Sequence, residues 1–171
     1  MLAYTILIGA VAIERLAELV VSQRNLKWSK ARGGVEFGLS HYPVMVLLHT
    51  GLLVGCLVEA SHREFIPLLG WPMFVVAIAA QGLRWWCITT LGHQWNTRVV
   101  VVPNGGRVTG GPYKFMSHPN YVAVVVEGVA LPLVYSAWVT ALVFTILNAL
   151  LLWLRISVEN KALQSLTKTP A

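Results

Sequence analysis

Charge is scarce in this chain. Only 12% of its 171 residues are Asp, Glu, Lys or Arg, against a soluble-domain average of about 25%. Cysteine is nearly absent as well. The two present, Cys56 and Cys87, sit in apolar surroundings without metal-knuckle or CxxC spacing and read as packing residues. There is no HExxH and no Cys/His cluster, so no metal is expected, and His62 and His93 stand in polar connections without companion ligands. Gly105-Gly106 and Gly110-Gly111 are not followed by Lys-Ser/Thr in Walker spacing, so they do not form a phosphate loop. Tandem repeats, low-complexity tracts and a separate soluble domain are missing too, leaving one domain over 1–171.

What is present is apolar. Hydrophobic residues make up 56% of the chain and the mean hydropathy is +0.65. The runs are long enough to cross about 30 Å of hydrocarbon at about 1.5 Å per residue. They predict an all-α, multi-pass integral membrane protein with five spans, at about residues 2–21, 43–60, 65–83 or somewhat beyond, 119–135 and 137–154. The first run holds Glu14, Arg15 and Glu18 and lacks a basic leader and a small-residue cleavage site, so it is expected to stay rather than be removed. The last two runs leave almost no loop, and Pro132, Tyr135 and Ser136 predict a tight helical hairpin.

Four Lys and Arg lie between residues 22 and 42, four between 84 and 118 and three from 155 onward, whereas the intervening connections hold only Arg63. The positive-inside rule then places the amino terminus outside and the carboxyl terminus in the cytoplasm. The net charge of +6 thereby has a topological origin. Basic residues spread over juxtamembrane connections argue against a nucleic-acid partner. Trp71, Trp85, Trp86, Trp138 and Trp153 fall near span ends, as interfacial anchors do.

The stretch 84–118, the longest outside the spans, is the expected seat of chemistry. It leads into the fourth span through Gly110-Gly111-Pro112-Tyr113-Lys114-Phe115-Met116-Ser117-His118-Pro119-Asn120-Tyr121, a glycine-rich turn running into a helix start. Pro119 suits a first helical turn, and Tyr113, His118 and Tyr121 supply aromatic surface with polar ends, which can hold an adenosyl group.

This segment resembles the isoprenylcysteine carboxyl methyltransferase family, whose signature is Gly-Pro-Tyr followed by Arg-His-Pro-x-Tyr. The likeness extends upstream to Leu91-Gly92-His93-Gln94-Trp95 and downstream to Arg155-Ile156-Ser157-Val158-Glu159-Asn160-Lys161-Ala162-Leu163, similar to the family's Leu-Gly-x-x-Trp and Arg-x-x-x-Glu-Glu-x-x-Leu elements. It implies a cytoplasmic-side pocket for S-adenosylmethionine, released as S-adenosylhomocysteine. The cofactor contacts it implies draw on Gly92, Trp95, Gly111, Tyr113, His118, Pro119, Tyr121, Arg155 and Glu159. Two departures stand out: Ser117 replaces the signature arginine and Asn160 the second glutamate. Serine cannot pair a carboxylate bidentately, which moves the expected acceptor away from prenylcysteine.

Glu14-Arg15-Leu16-Ala17-Glu18, Arg24-Asn25, Gly34-Val35-Glu36-Phe37-Gly38 and His41-Tyr42-Pro43 resemble a bacterial subgroup that accompanies type III polyketide synthases and O-methylates alkylpyrones and alkylresorcinols. The resemblance thus implies a bacterial inner (plasma) membrane as the location and, as partners, a lipid-like substrate, the surrounding membrane lipids and, functionally, such a synthase. A resorcinol hydroxyl, with pKa about 10, needs a base, whereas a hydroxypyrone arrives ionised. Candidate bases are His41, at the mouth of the second span, and Glu127, two turns into the fourth.

Structural alternatives accompany each. Glu127 as a packing group is one; Glu14, Arg15 and Glu18 as an ionic lock rather than a cavity lining is another. His49 makes an interhelical hydrogen bond or recognises a substrate hydroxyl. Carboxyl methylation of a lipidated acid remains the rival enzyme activity, and a transporter or assembly protein using Glu14 and Glu127 the non-catalytic one.

Overall fold

The computed structural model describes residues 1–103, 105–106 and 108–167. Arg107 and Lys168, two of the basic residues counted above, lie outside the described residues. Five helices dominate: α1 (Leu2–Lys30), α2 (Tyr42–Ala60), α3 (Pro67–Leu91), α4 (Pro119–Leu133) and α5 (Trp138–Thr167). Three helical stretches are long and apolar enough to cross a membrane: Tyr42–Ala60, Pro67–Gln94 and Trp138–Ala162, with mean hydropathy 1.8, 1.3 and 2.0. The α4 helix is apolar but shorter, and α1 carries its three charges mid-helix.

The outer surface is rich in large apolar side chains, among them Leu2, Ile13, Leu47, Leu68 and Leu150, as hydrocarbon surroundings allow. The five tryptophans proposed as anchors are all substantially exposed.

Two expectations need amendment. The chain is not purely α, because Val35–Phe37 (β1) and Val99–Val101 (β2) pair antiparallel, Val35 opposite Val101 and Phe37 opposite Val99. β-Branched side chains favour this pleat, and a ribbon this short has no apolar period for a sequence reading to detect. The third helix also extends past 83 as far as Leu91, two turns beyond the expected end. Arg84, counted above among connection charges, is therefore buried inside α3, and the non-helical connection begins at Gly92.

Helix α4 packs against both α3 and α5. The α4–α5 turn is as tight as expected, with Ser136 at φ 57°. Close approach depends on Gly128: a Cβ there would lie 2.2 Å from the Phe144 ring on α5. A cluster of Tyr4, Ile8, Leu52, Cys56, Leu131 and Phe144 forms the apolar core at one end of the bundle, and the Tyr4 hydroxyl donates to the Leu131 carbonyl at 3.0 Å. Both cysteines are free and fully buried.

Candidate functional site

At the opposite end of the bundle, α4 and α5 bring the signature residues together. Arg155 and Glu159 are one turn apart on α5 and share a face. His118 and Tyr121 have the same relation at the start of α4, where Pro119 occupies the first turn without leaving an amide unbonded. The Tyr121 hydroxyl donates to Glu159 Oε2 and accepts from Arg155 Nε at 2.9 Å. The His118 ring stacks on Tyr121, centroids 5.3 Å apart and planes 18° apart, with Nδ1 4.0 Å from Glu159 Oε1. Arg155 is further held by the Thr97 carbonyl, which accepts from Nη2 at 2.7 Å.

The polar connection is tied to α1. Asn25 Nδ2 donates to the Gly92 and Trp95 carbonyls at 3.1 and 2.7 Å, and Ser22 Oγ accepts from the Thr97 amide at 3.1 Å. These bonds pull the chain after α3 across the bundle end and bury Trp95. Gly92 and Gly111 both adopt positive φ, 52° and 53°, at turns bounding this segment. Tyr113 sits against Cys87; burial, then the neighbouring thiol, pushes its phenol well above the usual range, so it stays protonated. Arg98 is held as a cation chiefly by its hydrogen bond to Glu36 (2.7 Å), and its guanidinium lies 4.5 Å from the Tyr42 ring centroid.

His41 is buried in a one-turn 3-10 segment, Leu39–His41, before α2. Gly38 (φ 66°) makes room for it, since a Cβ there would meet the imidazole Cε1 at 2.0 Å. Burial, and secondarily the Arg155 charge, lowers the His41 pKa below the ordinary 6.5, which favours the neutral imidazole.

Between α1, α2, α4 and α5 runs a cavity of about 400 Å³. Tyr42, Thr97, Trp95, Tyr121, Arg155 and Met45, whose Sδ lies 2.8 Å from Arg155 Nη1, line one end, Val124, Leu151 and Leu152 line the middle, and His49, Asn148, Arg15, Glu18 and Arg84 lie towards the other. Of the cofactor residues expected from the sequence, then, Trp95, Tyr121 and Arg155 face this cavity. His118 and Glu159 stand against Tyr121, while Gly92, Gly111, Tyr113 and Pro119 belong to the turns and helix start around it.

Neither candidate base lines the main cavity: His41 stands one residue before the lining Tyr42, outside the cavity wall. Glu127 lines a separate pocket of about 220 Å³ with Glu14 and Gln81. It accepts from Arg15 Nη2 through both oxygens, at 2.8 and 2.9 Å, and from Arg84 Nη2. Arg15 also bonds Glu18 at 2.6 Å, and Arg84 Nε lies 3.7 Å from Glu18 Oε1. Arg15, Glu18, Arg84 and Glu127 thus form a neutral quartet linking α1, α3 and α4. The lock and the cavity lining, posed as alternatives for Arg15 and Glu18, are both realised. His49 bonds its own helix, Nδ1 to the Met45 carbonyl at 2.9 Å, and sets its ring edge-on to Phe144 rather than making an interhelical hydrogen bond.

Arg84 and Asn148 escaped the sequence reading. Arg84 fell one residue beyond the assigned span, and Asn148 is a lone amide in the uncharged part of α5 that precedes Arg155. A polar side chain isolated inside an apolar run was the signal that could have found it.

An isoprenylcysteine carboxyl methyltransferase (ICMT) family model matches residues 73–165, which include α4, most of α5 and the whole Arg155–Tyr121–Glu159 cluster. Two relatives match nearly end to end. An uncharacterized protein of Bacillus subtilis, YpbQ, is 39% identical over 162 residues, 94% of this chain and 96% of its own length. An uncharacterized protein of Haemophilus influenzae is 25% identical over 171 residues, 97% of this chain and 98% of its own. No solved structure matches the chain.

Proposed function

The chain belongs to the isoprenylcysteine carboxyl methyltransferase family, a family of membrane methyltransferases, and from that premise we propose that it O-methylates a phenolic or enolic hydroxyl of an alkyl lipid, an alkylresorcinol or alkylpyrone, using S-adenosylmethionine. The observation that carries this reading is the Arg155–Tyr121–Glu159 cluster at the polar end of a cavity whose middle is apolar.

The residues suit the cofactor. His118 and Tyr121 offer stacked aromatic faces, and Glu159 a partly exposed carboxylate, favourable neighbours for a sulfonium, an ammonium and ribose hydroxyls. When bound, S-adenosylmethionine supplies an electrophilic methyl group and departs as S-adenosylhomocysteine. The protein's own part is positioning and water exclusion: Arg155 and Glu159 fix the Tyr121 phenol from both sides, and Met45, Leu151 and Leu152 keep the adjoining space dry. His41 is the stronger candidate for the acceptor's proton, because its lowered pKa leaves a neutral imidazole, whereas both Glu127 oxygens already accept from guanidinium groups.

In this reading α1 and α4 are spans alongside the three longer helices, the amino terminus is outside, and the acceptor is a type III polyketide synthase product. The exposed Ser117, without a positive charge for a carboxylate, supports a hydroxyl acceptor. Family membership favours the second reading, carboxyl methylation of prenylcysteine or another lipidated acid. Purified protein with methyl-labelled S-adenosylmethionine separates them. Label is expected in alkylresorcinol or alkylpyrone and not in farnesylcysteine, and the reverse pattern refutes the proposal.

A further inference from the structure

The family match starts at residue 73, yet the segment that carries Trp95 and Thr97 is held from outside that region, by the last turns of α1. Ser22 and Asn25 lie three residues apart, share a helix face and are only 4% and 5% exposed. Buried polar side chains need a partner for each donor and acceptor, and here the partners all lie in one segment. Asn25 commits both amide hydrogens, to the Gly92 and Trp95 carbonyls. A hydroxyl has one donor and two acceptor lone pairs. Ser22 Oγ uses all of them: it donates to Asn96 Oδ1 at 2.7 Å and accepts from the Thr97 amide at 3.1 Å and the Thr97 hydroxyl at 2.7 Å. Between the one-turn 3-10 segment Gly92–Gln94 and β2 the backbone belongs to no helix or ladder, so these bonds set its course.

The far side of that segment meets the candidate cofactor cluster. Arg155, 6% exposed, aims its guanidinium by three contacts: Nε on the Tyr121 hydroxyl at 2.9 Å, Nη1 on Met45 Sδ at 2.8 Å and Nη2 on the Thr97 carbonyl at 2.7 Å. A thioether sulfur is a weak acceptor, and the Tyr121 oxygen is itself tied to Glu159. The Thr97 carbonyl is therefore the backbone atom against which the guanidinium is set. Displacing it leaves a buried cation short of an acceptor.

We infer that Ser22 and Asn25 are positioning residues for the cofactor site. They set residues 92–97, the Thr97 carbonyl sets Arg155, and Arg155 sets the Tyr121 phenol that Glu159 holds from its other side. Neither side chain lines the main cavity, so both act through Arg155 and not by touching a ligand. Helix α1 thereby becomes part of the site, although the family match does not reach it.

The identity of the ligand rests on the proposed function, whereas the placement of Arg155 does not, and two readouts keep them apart. The full chain is prepared in nanodiscs as wild type, Ser22→Ala, Asn25→Leu and Arg155→Lys, with thermal unfolding as the check on folding. Without ligand, the Nε–H resonance of Arg155, assigned by its loss in Arg155→Lys, is expected to shift in both α1 variants. A resonance unmoved in both overturns the inference. With S-adenosylhomocysteine as the probe, calorimetry is expected to show affinity about tenfold weaker in each α1 variant, the worth of one hydrogen bond to a charged group. The double variant Ser22→Ala/Arg155→Lys separates positioning from a general loosening of the fold. Acting through Arg155, Ser22→Ala adds little to the loss caused by Arg155→Lys. A further tenfold loss there, or wild-type affinity in both α1 variants, overturns the inference. Ser22→Ala removes a single hydroxyl and carries the test alone if Asn25→Leu, which leaves two carbonyls unpaired, does not fold. A wild type that fails to bind the probe refutes the proposed function, and the resonance then decides whether α1 places Arg155.

Discussion

Glu127 is the most informative residue to perturb, because its two possible roles give opposite results. As part of the quartet it balances Arg15 and Arg84, and Glu127→Leu leaves one net positive charge buried among α1, α3 and α4. Breaking a buried pair by removing one partner costs about 3–5 kcal/mol, whereas replacing both partners with apolar groups is often neutral. Glu127→Leu is therefore expected to lower thermal stability by that amount. The double variant Arg84→Met/Glu127→Leu leaves Arg15 paired with Glu18 and should recover most of the loss. The assay is unfolding of wild type, both single variants and the double variant in one detergent, read as a double-mutant cycle. Cofactor affinity is measured in parallel, since Tyr121, Arg155 and Glu159 lie outside the quartet. Additive single losses, or a fully stable Glu127→Leu that has lost turnover, would refute the lock and restore Glu127 as a base.

Tyr121→Phe removes the hydroxyl joining Arg155 to Glu159, and with Glu159→Gln should weaken S-adenosylhomocysteine binding roughly tenfold by calorimetry, the value of one charge-assisted bond. For His41, lowering the pKa favours the neutral form, so the base remains available below pH 6.5, and the acid limb of the kcat profile is expected beneath that value and lost in His41→Gln. The same depression makes its stability contribution full above the unfolded-state pKa of about 6.5 and lost as pH falls through the folded value, which unfolding at pH 5 against pH 8 can read. Gly128→Leu drives a side chain into the Phe144 ring and should cost about 1–3 kcal/mol by overpacking, measured as a lower unfolding midpoint.

The residues of the Arg155–Tyr121–Glu159 cluster were legible because they are local. Arg155 and Glu159 lie one turn apart, as do His118 and Tyr121, and helical spacing alone puts each pair on one face. The deep polar cluster was not legible in the same way. Glu14, Arg15 and Glu18 were visible as charges inside an apolar run, but their partners Gln81, Arg84 and Glu127 come from α3 and α4, at separations that no helical period relates. Arg84 was misassigned to a connection because hydropathy sees a charge and ends the span, whereas burial between two carboxylates lets the helix continue to Leu91.

The sequence by itself determined a mostly helical, apolar chain of the methyltransferase family and the motif residues at one end of the bundle, since these depend on composition and on spacings of three or four residues. Only the tertiary structure decided what those residues surround. It showed that Trp95, Tyr121 and Arg155 face one cavity, that neither His41 nor Glu127 lines it, and that Arg84 and Glu18 join Arg15 and Glu127 in one charge-balanced cluster. Charge compensation and enclosed volume arise between helices, and the order of residues along any one of them carries neither.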